Sequence, residues 1–277
     1  MFEKSQIKIT LITACRNSAD SLPLAMDSVL CQTHPDIEYL VMDGASTDNT
    51  RAFLKTYADK FNGRMDWVSE QDAGFYDAIN KGIQKATGDV IGILNADDAL
   101  SGCGILSQVA TAFEQDPTLD AVYGDVRFVK NHTAVSLEDL WALKTVRWYS
   151  SRHWRPWMLQ WGFMPPHPSV YIRKSCFERL GNYAADYRIA ADYALLIRFL
   201  RKAKLRCAYL PICFADMRTG GVSTRNWRSN LLLNQEIVRG NREAGYFCCL
   251  PMLAPKYLFK VFEFLLPMMK GKKSCPS

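Results

Sequence analysis

The stretch LNADDA, Leu94 to Ala99, sets two carboxylates side by side directly after the apolar run VIGIL. Adjacent acids on a tight loop are hard oxygen ligands that suit Mg2+ or Mn2+. An ion held that way keeps waters and bridges to phosphates, so a nucleotide diphosphate is its natural partner. Asp98 has a plainer alternative use, as the N-cap of a helix starting near Ser101. Asp43, in VMDGASTDNT, ends another apolar run. An acid at such a place accepts hydrogen bonds from a ribose or a base N–H, or it is a turn residue before Gly44.

These acids are positioned by alternating strand-like and helix-like patterns. Ile7 to Ala14 reads as a first strand, and Leu22, Met26, Val29 and Leu30 fall on one helical face. Ile37 to Met42 is a second strand, followed by a helix from about Asp48 to Phe61. MDWVSE is a third strand, and Phe75 to Thr87 a helix that buries Tyr76, Ile79, Ile83 and Ala86, with Gly88 suited to its C′ stop. VIGIL is the fourth strand; a helix bearing Ile105, Leu106, Val109 and Phe113 follows, then AVYGDVRFV as a fifth strand. Continuous apolar strands alternating with amphipathic helices imply an α/β fold with a mostly parallel sheet covered on both faces. Ligands of such sheets bind at the carboxyl ends of the strands. Those ends carry Cys15-Arg16-Asn17, Asp43-Gly44, Glu70-Gln71-Asp72 and Asn95-Ala96-Asp97-Asp98, so acids gather at one rim.

The second half is less regular. Residues 146–166 combine Trp, Arg and Pro without a period and read as a loop over a pocket. SVYIR resumes a strand, and a helix from about Ile189 to Ala203 buries Leu195, Leu196, Phe199 and Leu200. The dinucleotide fingerprint GxGxxG is absent after the first strand, where TACRNSADS stands, which removes most of the case for a nicotinamide enzyme.

With 48% hydrophobic and 22% charged residues the 277-residue chain is an ordinary globular protein rather than a disordered one. Its nine cysteines are scattered, odd in number and without metal spacing, which argues for reduced thiols and a cytoplasmic location. The opening MFEKSQIKITLIT has no signal-peptide pattern. The net charge of +6 is concentrated in Arg198 to Arg206 and Lys270 to Lys273. No basic-aromatic platform accompanies it, so nucleic acid is not an expected partner.

TACRN, VMDGASTDNT and SEQDAGFYDAINKGIQKATGDVIGILNADD, in that order and at that spacing, resemble the successive motifs of family 2 inverting glycosyltransferases, and within them the branch that builds bacterial surface polysaccharides. The resemblance covers about residues 7 to 225. It implies the GT-A fold, a Rossmann-like α/β domain over residues 1–225 with a nucleotide-binding part of about 1–130 and an acceptor part of about 131–225. Residues 226–277 are then a C-terminal helical extension. It also implies that Thr13, Ala14, Cys15 and Asn17 line the base and ribose and that Asp43 hydrogen-bonds the base. Asp72 and the face carrying Asp77, Asn80 and Lys81 would lie by the donor sugar and diphosphate. Asn95-Ala96-Asp97-Asp98 stands where the family has its DxD motif, with Asp97 favouring ribose or sugar and Asp98 the metal; Asn95 departs from a literal DxD.

An inverting transfer needs a general base to deprotonate the acceptor hydroxyl. The family places it at a helix start in the second half, often as ED, and in YRIAADYALLIRFL the matching acid is Asp192, with Ala191 in place of the frequent Glu. Its alternative is a first-turn residue favoured by the helix dipole. His167, between prolines, either touches the acceptor or organises the loop beneath it. Arg188 and the turn at 220–224 stand near enough in sequence to help neutralise diphosphate charge. The chain lacks the QxxRW-type motif and membrane spans of processive synthases, so a single sugar addition is expected.

The stretch from Tyr246 to Met269 is apolar but broken by Pro251, Pro255, Pro267, Lys256, Lys260 and Glu263, and so fails as a transmembrane helix. With the basic tail it suits peripheral membrane contact through residues 246–273, on the inner face of the cytoplasmic membrane. The alternative is a helix packed on the domain or on a second subunit. The expected partners are therefore a nucleotide-diphosphate sugar and a glycan or lipid-linked acceptor. Two rivals stand beside this reading. A nucleotidyltransferase acting on sugar phosphates would want a Gly-rich, basic loop where TACRNSADS stands, and a non-catalytic glycan-binding subunit would not need the acids.

Overall fold

A computed structural model describes residues 6–130, 134–219 and 227–259. The early elements follow the apolar pattern closely: β1 (Ile9–Cys15), α1 (Leu22–Leu30), β2 (Ile37–Asp43), α2 (Thr50–Lys60), β3 (Met65–Ser69), α3 (Phe75–Lys85) and β4 (Val90–Ile93). After them come β5 (Ala99–Leu100), α4 (Ile105–Gln115), β6 (Ala121–Val129), α5 (Leu137–Ala142), β7 (Thr145–Tyr149), β8 (Val170–Arg173) and α6 (Lys174–Leu180). The last described elements are α7 (Ala191–Leu196), β9 (Cys207–Arg218) and α8 (Trp227–Glu243).

One sheet joins the described strands in the order β3-β2-β1-β4-β8-β6-β9-β5, with β7 beside β6. Strands β1 to β4 pair in parallel, as the alternating pattern requires. The second half is mixed: β8 runs antiparallel to both β4 and β6, whereas β6 and β9 are parallel. Consequently β1, β2, β3, β4, β6 and β9 all point their carboxyl ends to one rim.

Alternate residues of the central strands enter two cores. Ile9 and Leu11 of β1, Tyr39 and Val41 of β2 and Val90 of β4 pack with Met26, Leu54, Leu106 and Phe113. Ile12, Leu40, Met42, Ile91 and Ile93 face the other way, onto Ile79, Ile83, Phe177, Leu195 and Ile237. This two-sided burial explains the unbroken apolar runs, each fully buried Leu or Ile contributing about 1.5–3 kcal/mol.

Several expectations are corrected. Gly88 is not a left-handed helix stop: it lies beyond the C-cap, Ala86. A Cβ there would come within 2.8 Å of the Thr10 amide nitrogen and 2.9 Å of the Lys8 carbonyl oxygen. Glycine is needed there for close approach of two backbones. Residues 146–166 are not one continuous loop. They begin in β7, with a 3-10 turn at Pro156–Trp161 whose Leu159 is fully buried. The helix carrying Asp192 is α7 continued by a π-helical turn, Ile197–Lys202.

The expectation of reduced thiols fails at one pair, since Cys31 and Cys103 form a disulfide between the end of α1 and the approach to α4. Their separation of 72 residues gives no local signal. Cys15, Cys176, Cys207, Cys248 and Cys249 form no disulfide.

Candidate active site

The rim at the ends of β1 and β2 is built around Asp43, which is 1% exposed. Its carboxylate accepts from the Ser46 amide at 3.1 Å, from the Ser69 hydroxyl at 2.6 Å and from the Ser46 hydroxyl, with the Cys15 thiol at 3.8 Å. Burial, then the Asp43 charge, pushes the Cys15 thiol far up, so it stays protonated. Asn17 takes a left-handed conformation (φ 50°), which asparagine tolerates. Its side chain then accepts from the Thr47 amide at 2.9 Å, while its own amide donates to Ser46 Oγ at 2.7 Å. The loop 44–47 is thus clamped over the strand ends. Thr13 sits beneath that floor: fully buried, its hydroxyl donates to the Leu94 carbonyl and accepts from Tyr39. Ala14 is buried beside it.

Across Gly44 lies the second group. A Cβ on Gly44 would come within 3.4 Å of Asp72 Oδ2, so the glycine lets the two strand-end loops close up. Lys81, on α3, reaches Asp72 at 2.7 Å, Glu70 at 2.8 Å and Asp77 at 3.5 Å. Hydrogen bonds to Asp72 and Glu70 hold its ammonium above the usual lysine range. Asp77 also accepts from the Ala73 amide at the start of α3. Asn80 turns away from this group and clasps Tyr183 twice, donating to its carbonyl at 2.8 Å and accepting from its amide at 3.0 Å.

LNADD folds as a turn after β4. The Asp98 amide bonds the Asn95 carbonyl, and the Asn95 side-chain amide donates to Asp98 Oδ2 at 2.8 Å. Asp98 is buried and Asp97 is exposed, with Ala96 partly packed on the core. The other oxygen of Asp98 accepts from the Arg218 amide at 3.3 Å. Burial and the neighbouring Asp97 raise the Asp98 carboxyl, against the pull of Asn95 and Arg218. Asp98 is no helix cap, because α4 begins at Ile105 with Gly104 as its N-cap.

The hard-oxygen donor set of Asp97 and Asp98 fits a divalent ion that keeps most of its waters and shares phosphate oxygens. Among the described residues no group of three or more His, Cys, Asp or Glu side chains is placed to hold a metal ion.

Asp192 lies in the first turn of α7. Its carboxylate accepts from the Tyr193 amide at 2.8 Å and from the Tyr76 hydroxyl at 3.4 Å. Burial raises its pKa, with His167, the Tyr193 amide and Tyr76 pulling down. Tyr76 also donates to the Ile189 carbonyl at 2.6 Å and stacks on Tyr183 at 5.7 Å between centroids. His167 shares a 2.7 Å hydrogen bond with the Tyr183 hydroxyl, and burial holds its imidazole below the usual value. His167 thus bonds Tyr183, which stacks on Tyr76 beside Asp192. Arg188 has an exposed side chain, and the turn at 220–224 lies outside the described residues.

Three rim residues escape sequence reasoning. Arg218 ends β9, whose central Pro211 hides the strand; Ser46 looks like an ordinary loop serine and Ser69 like the polar end of a strand. In the basic run from Arg198, Arg198 donates to the Gly181 and Asn182 carbonyls and Arg201 to Trp157 and Gln160.

Residues 10–179 match the family described as glycosyl transferase family 2. The chain belongs to that family. A PGL/p-HBAD biosynthesis glycosyltransferase of Mycobacterium tuberculosis is 28% identical over 231 residues, 83% of this chain and 82% of its own length. An uncharacterized glycosyltransferase of Nostoc is 37% identical over 92 residues, 33% of this chain and 29% of its own.

This family 2 glycosyltransferase also shares its fold with solved structures. S. aureus TarS 1-349 in complex with UDP-GlcNAc superposes with a TM-score of 0.61 at 15% identity, covering 84% of this chain and 67% of that one. A mannosyltransferase from Pyrobaculum calidifontis, in complex with GDP-Man and Mn2+, superposes at 0.60 with 20% identity, covering 97% and 77%. The chain spans 40% of a longer TarS chain.

Proposed function

We propose that this glycosyltransferase moves one sugar from a nucleotide-diphosphate donor to a glycan or lipid-linked acceptor in surface polysaccharide synthesis, with inversion at the anomeric carbon. The observation that carries the reading is a part-buried carboxylate in the first turn of α7, Asp192, whose pKa burial raises and which accepts from the Tyr193 amide and the Tyr76 hydroxyl. A carboxylate whose proton affinity burial raises suits taking a hydroxyl proton as its oxygen attacks. Asp43 and the clamped loop 44–47 offer the floor for base and ribose, with Cys15 and Asn17 in that clamp and Thr13 and Ala14 as its buried support. Lys81 lies at the centre of the acids on the β3–α3 segment and balances charge by the donor, with Asp72 and Asp77.

Asp97 and Asp98 would hold Mg2+ or Mn2+, with Asn95 fixing the angle of Asp98. When bound, the ion supplies positive charge to the departing diphosphate. Two structural neighbours, TarS bound to UDP-GlcNAc and the mannosyltransferase bound to GDP-Man and Mn2+, support donors of this chemical class.

The stretch after α8 supports peripheral membrane contact. Cys248 and Leu253 are buried against the domain, while Phe247, Leu250, Leu258 and Phe259 are exposed, as are Trp157 and Trp161 on the adjoining 3-10 turn. Gln160 donates to the Phe247 carbonyl, and Phe163 packs edge-on against Phe259, so these segments share one surface. Residues 260–273 lie outside the described set. Among the described residues no helix is long and apolar enough to cross a membrane.

We place the protein in the cytoplasm, on the membrane's inner face. Thiol alkylation in intact cells tests the location, because a Cys31–Cys103 bond that persists there argues for an oxidising compartment. Incubation with UDP-glucose, UDP-galactose, UDP-GlcNAc, GDP-mannose and dTDP-rhamnose, with and without Mn2+, tests the activity. Turnover of one of them only with metal, and an inverted product anomer by NMR, are expected. Pyrophosphate release from a sugar phosphate and a nucleoside triphosphate would instead support a nucleotidyltransferase.

A further inference from the structure

The first turn of α7 presents Asp192 but lacks a cap of its own. Its N-cap residue is Ala190, with no side-chain hydrogen bond, and a helix start leaves several backbone N–H groups without partners. Just ahead of that turn, through the N-cap, an acceptor comes from another element. Glu236, in the middle of α8 and 6% exposed, accepts from three consecutive amides. Arg188 donates to Oε1 at 2.8 Å, and Ile189 and Ala190 to Oε2 at 2.9 and 2.8 Å. A carboxylate at a helix start is favoured by the dipole as well as by these bonds.

Helix α8 grips the same segment at further points. Arg239 pairs with Asp186, and Tyr187 donates to Glu243 at 2.6 Å. Asn241 donates to the Tyr193 hydroxyl at 2.6 Å, and a Cβ on Gly240 would come within 3.5 Å of Ala194 Cβ. From the other side Tyr76 on α3 holds the Ile189 carbonyl and Asn80 holds Tyr183. The loop 183–190 is therefore held between α3 and α8. Of these holds, only Glu236 binds the three peptide groups that lead directly into the turn carrying Asp192.

We infer that Glu236 is a positioning residue for the base: it fixes the backbone at 188–190 so that the Asp192 carboxylate points to the rim, making α8 part of the catalytic apparatus. The inference rests on Asp192 as the base, as proposed above. A misplacement of about 1 Å between reacting groups costs on the order of 10²-fold in rate.

The test uses the full chain and the variants E236Q, E236A, D192N and D192N/E236Q. Turnover is followed with whichever sugar nucleotide of the panel above the wild type consumes, and amide hydrogen exchange at residues 188–190 is followed without any donor. E236Q keeps an acceptor oxygen and is expected to stay folded, with kcat down about tenfold and donor KM changed less than threefold. E236A is expected to lose about 10²-fold in kcat and the exchange protection at 188–190. In the D192N background E236Q should cost nothing further, because it acts through Asp192.

A folded E236A with wild-type kcat, or retained protection at 188–190, overturns the inference. So does an E236Q chain that fails to fold, which would make Glu236 a residue of the fold rather than of the base. If D192N alone keeps the wild-type rate, the base assignment has failed; the exchange measurement then still reports whether Glu236 holds the loop.

Discussion

Two aspartates, Asp43 at the end of β2 and Asp192 in the first turn of α7, are held in opposite ways. Asp43 is closed in by its own neighbourhood: Ser46, Ser69 and Cys15 all donate to it, from the loop just after it and the strands on either side. Asp192 accepts from one adjacent amide and, at longer range, from one phenol, and is otherwise partly desolvated. A carboxylate saturated with donors is fixed in place and suits holding. A carboxylate deprived of water but short of donors holds a proton more readily and suits exchanging one. Residue type is the same, and surroundings assign the work.

The largest expected effect breaks the base side. Asp192→Asn removes the proton acceptor while keeping its shape, and transfer should fall by about 10²–10⁴-fold with donor affinity unchanged. Single-turnover rates and donor titration check both halves. The wild-type rate should climb with pH through a carboxyl pKa above the ordinary aspartate value, and the rising limb should vanish in the variant.

The stability sign runs the other way. A raised carboxyl pKa means that the folded state binds the proton more tightly than the unfolded one. That contribution is full below the unfolded aspartate pKa and is lost as pH rises through the folded value. Asp192→Asn should therefore melt no lower than wild type at neutral pH.

Next in size is the proposed cation seat. Asn95→Ala leaves both acids in place but frees Asp98 from its side-chain clamp. Removing such an orienting partner costs about 10–100-fold in metal affinity, to be read by Mn2+ titration of donor binding. Unchanged Mn2+ dependence in Asp98→Ala would falsify the metal role outright.

Asp43→Asn sharpens the contrast from the other side. Its amide nitrogen would face hydroxyls and an amide that now donate to the carboxylate, costing about 1–3 kcal/mol. Lower melting temperature together with weaker donor binding is expected, unlike Asp192→Asn, which should alter the rate alone. The smallest change is Tyr76→Phe, which removes the bond to the Ile189 carbonyl and the longer one to Asp192. A loss of about 1 kcal/mol of positioning, a few-fold in kcat, is expected in steady-state assays.

The parallel half was legible because each buried strand writes a continuous apolar run and each helix a 3.6-residue stripe. Leu22, Met26 and Val29, or Ile79 and Ile83, need no partner information to be placed on a buried face. The mixed half was only partly legible: β6 and β8 read as strands, but β9 contains Pro211 and β7 mixes Arg with Trp, so neither of these carries a clean period. Strand ends told where Asp43, Asp72 and the LNADD acids would gather, because parallel strands share one carboxyl rim.

By itself the sequence determined the α/β order, the rim of acids and the family, since these depend on local periodicity and on motifs contiguous in the chain. Only the tertiary structure decided that Asp98 turns inward against Arg218 while Asp97 faces out. It alone showed that the Thr13 hydroxyl is bonded to the Leu94 carbonyl and Tyr39, and that Cys31 meets Cys103. It also brought Glu236 to the amides ahead of Asp192. Each of these joins residues far apart in the chain, and a hydrogen bond or disulfide across such a distance depends on how whole elements pack, which no local pattern records.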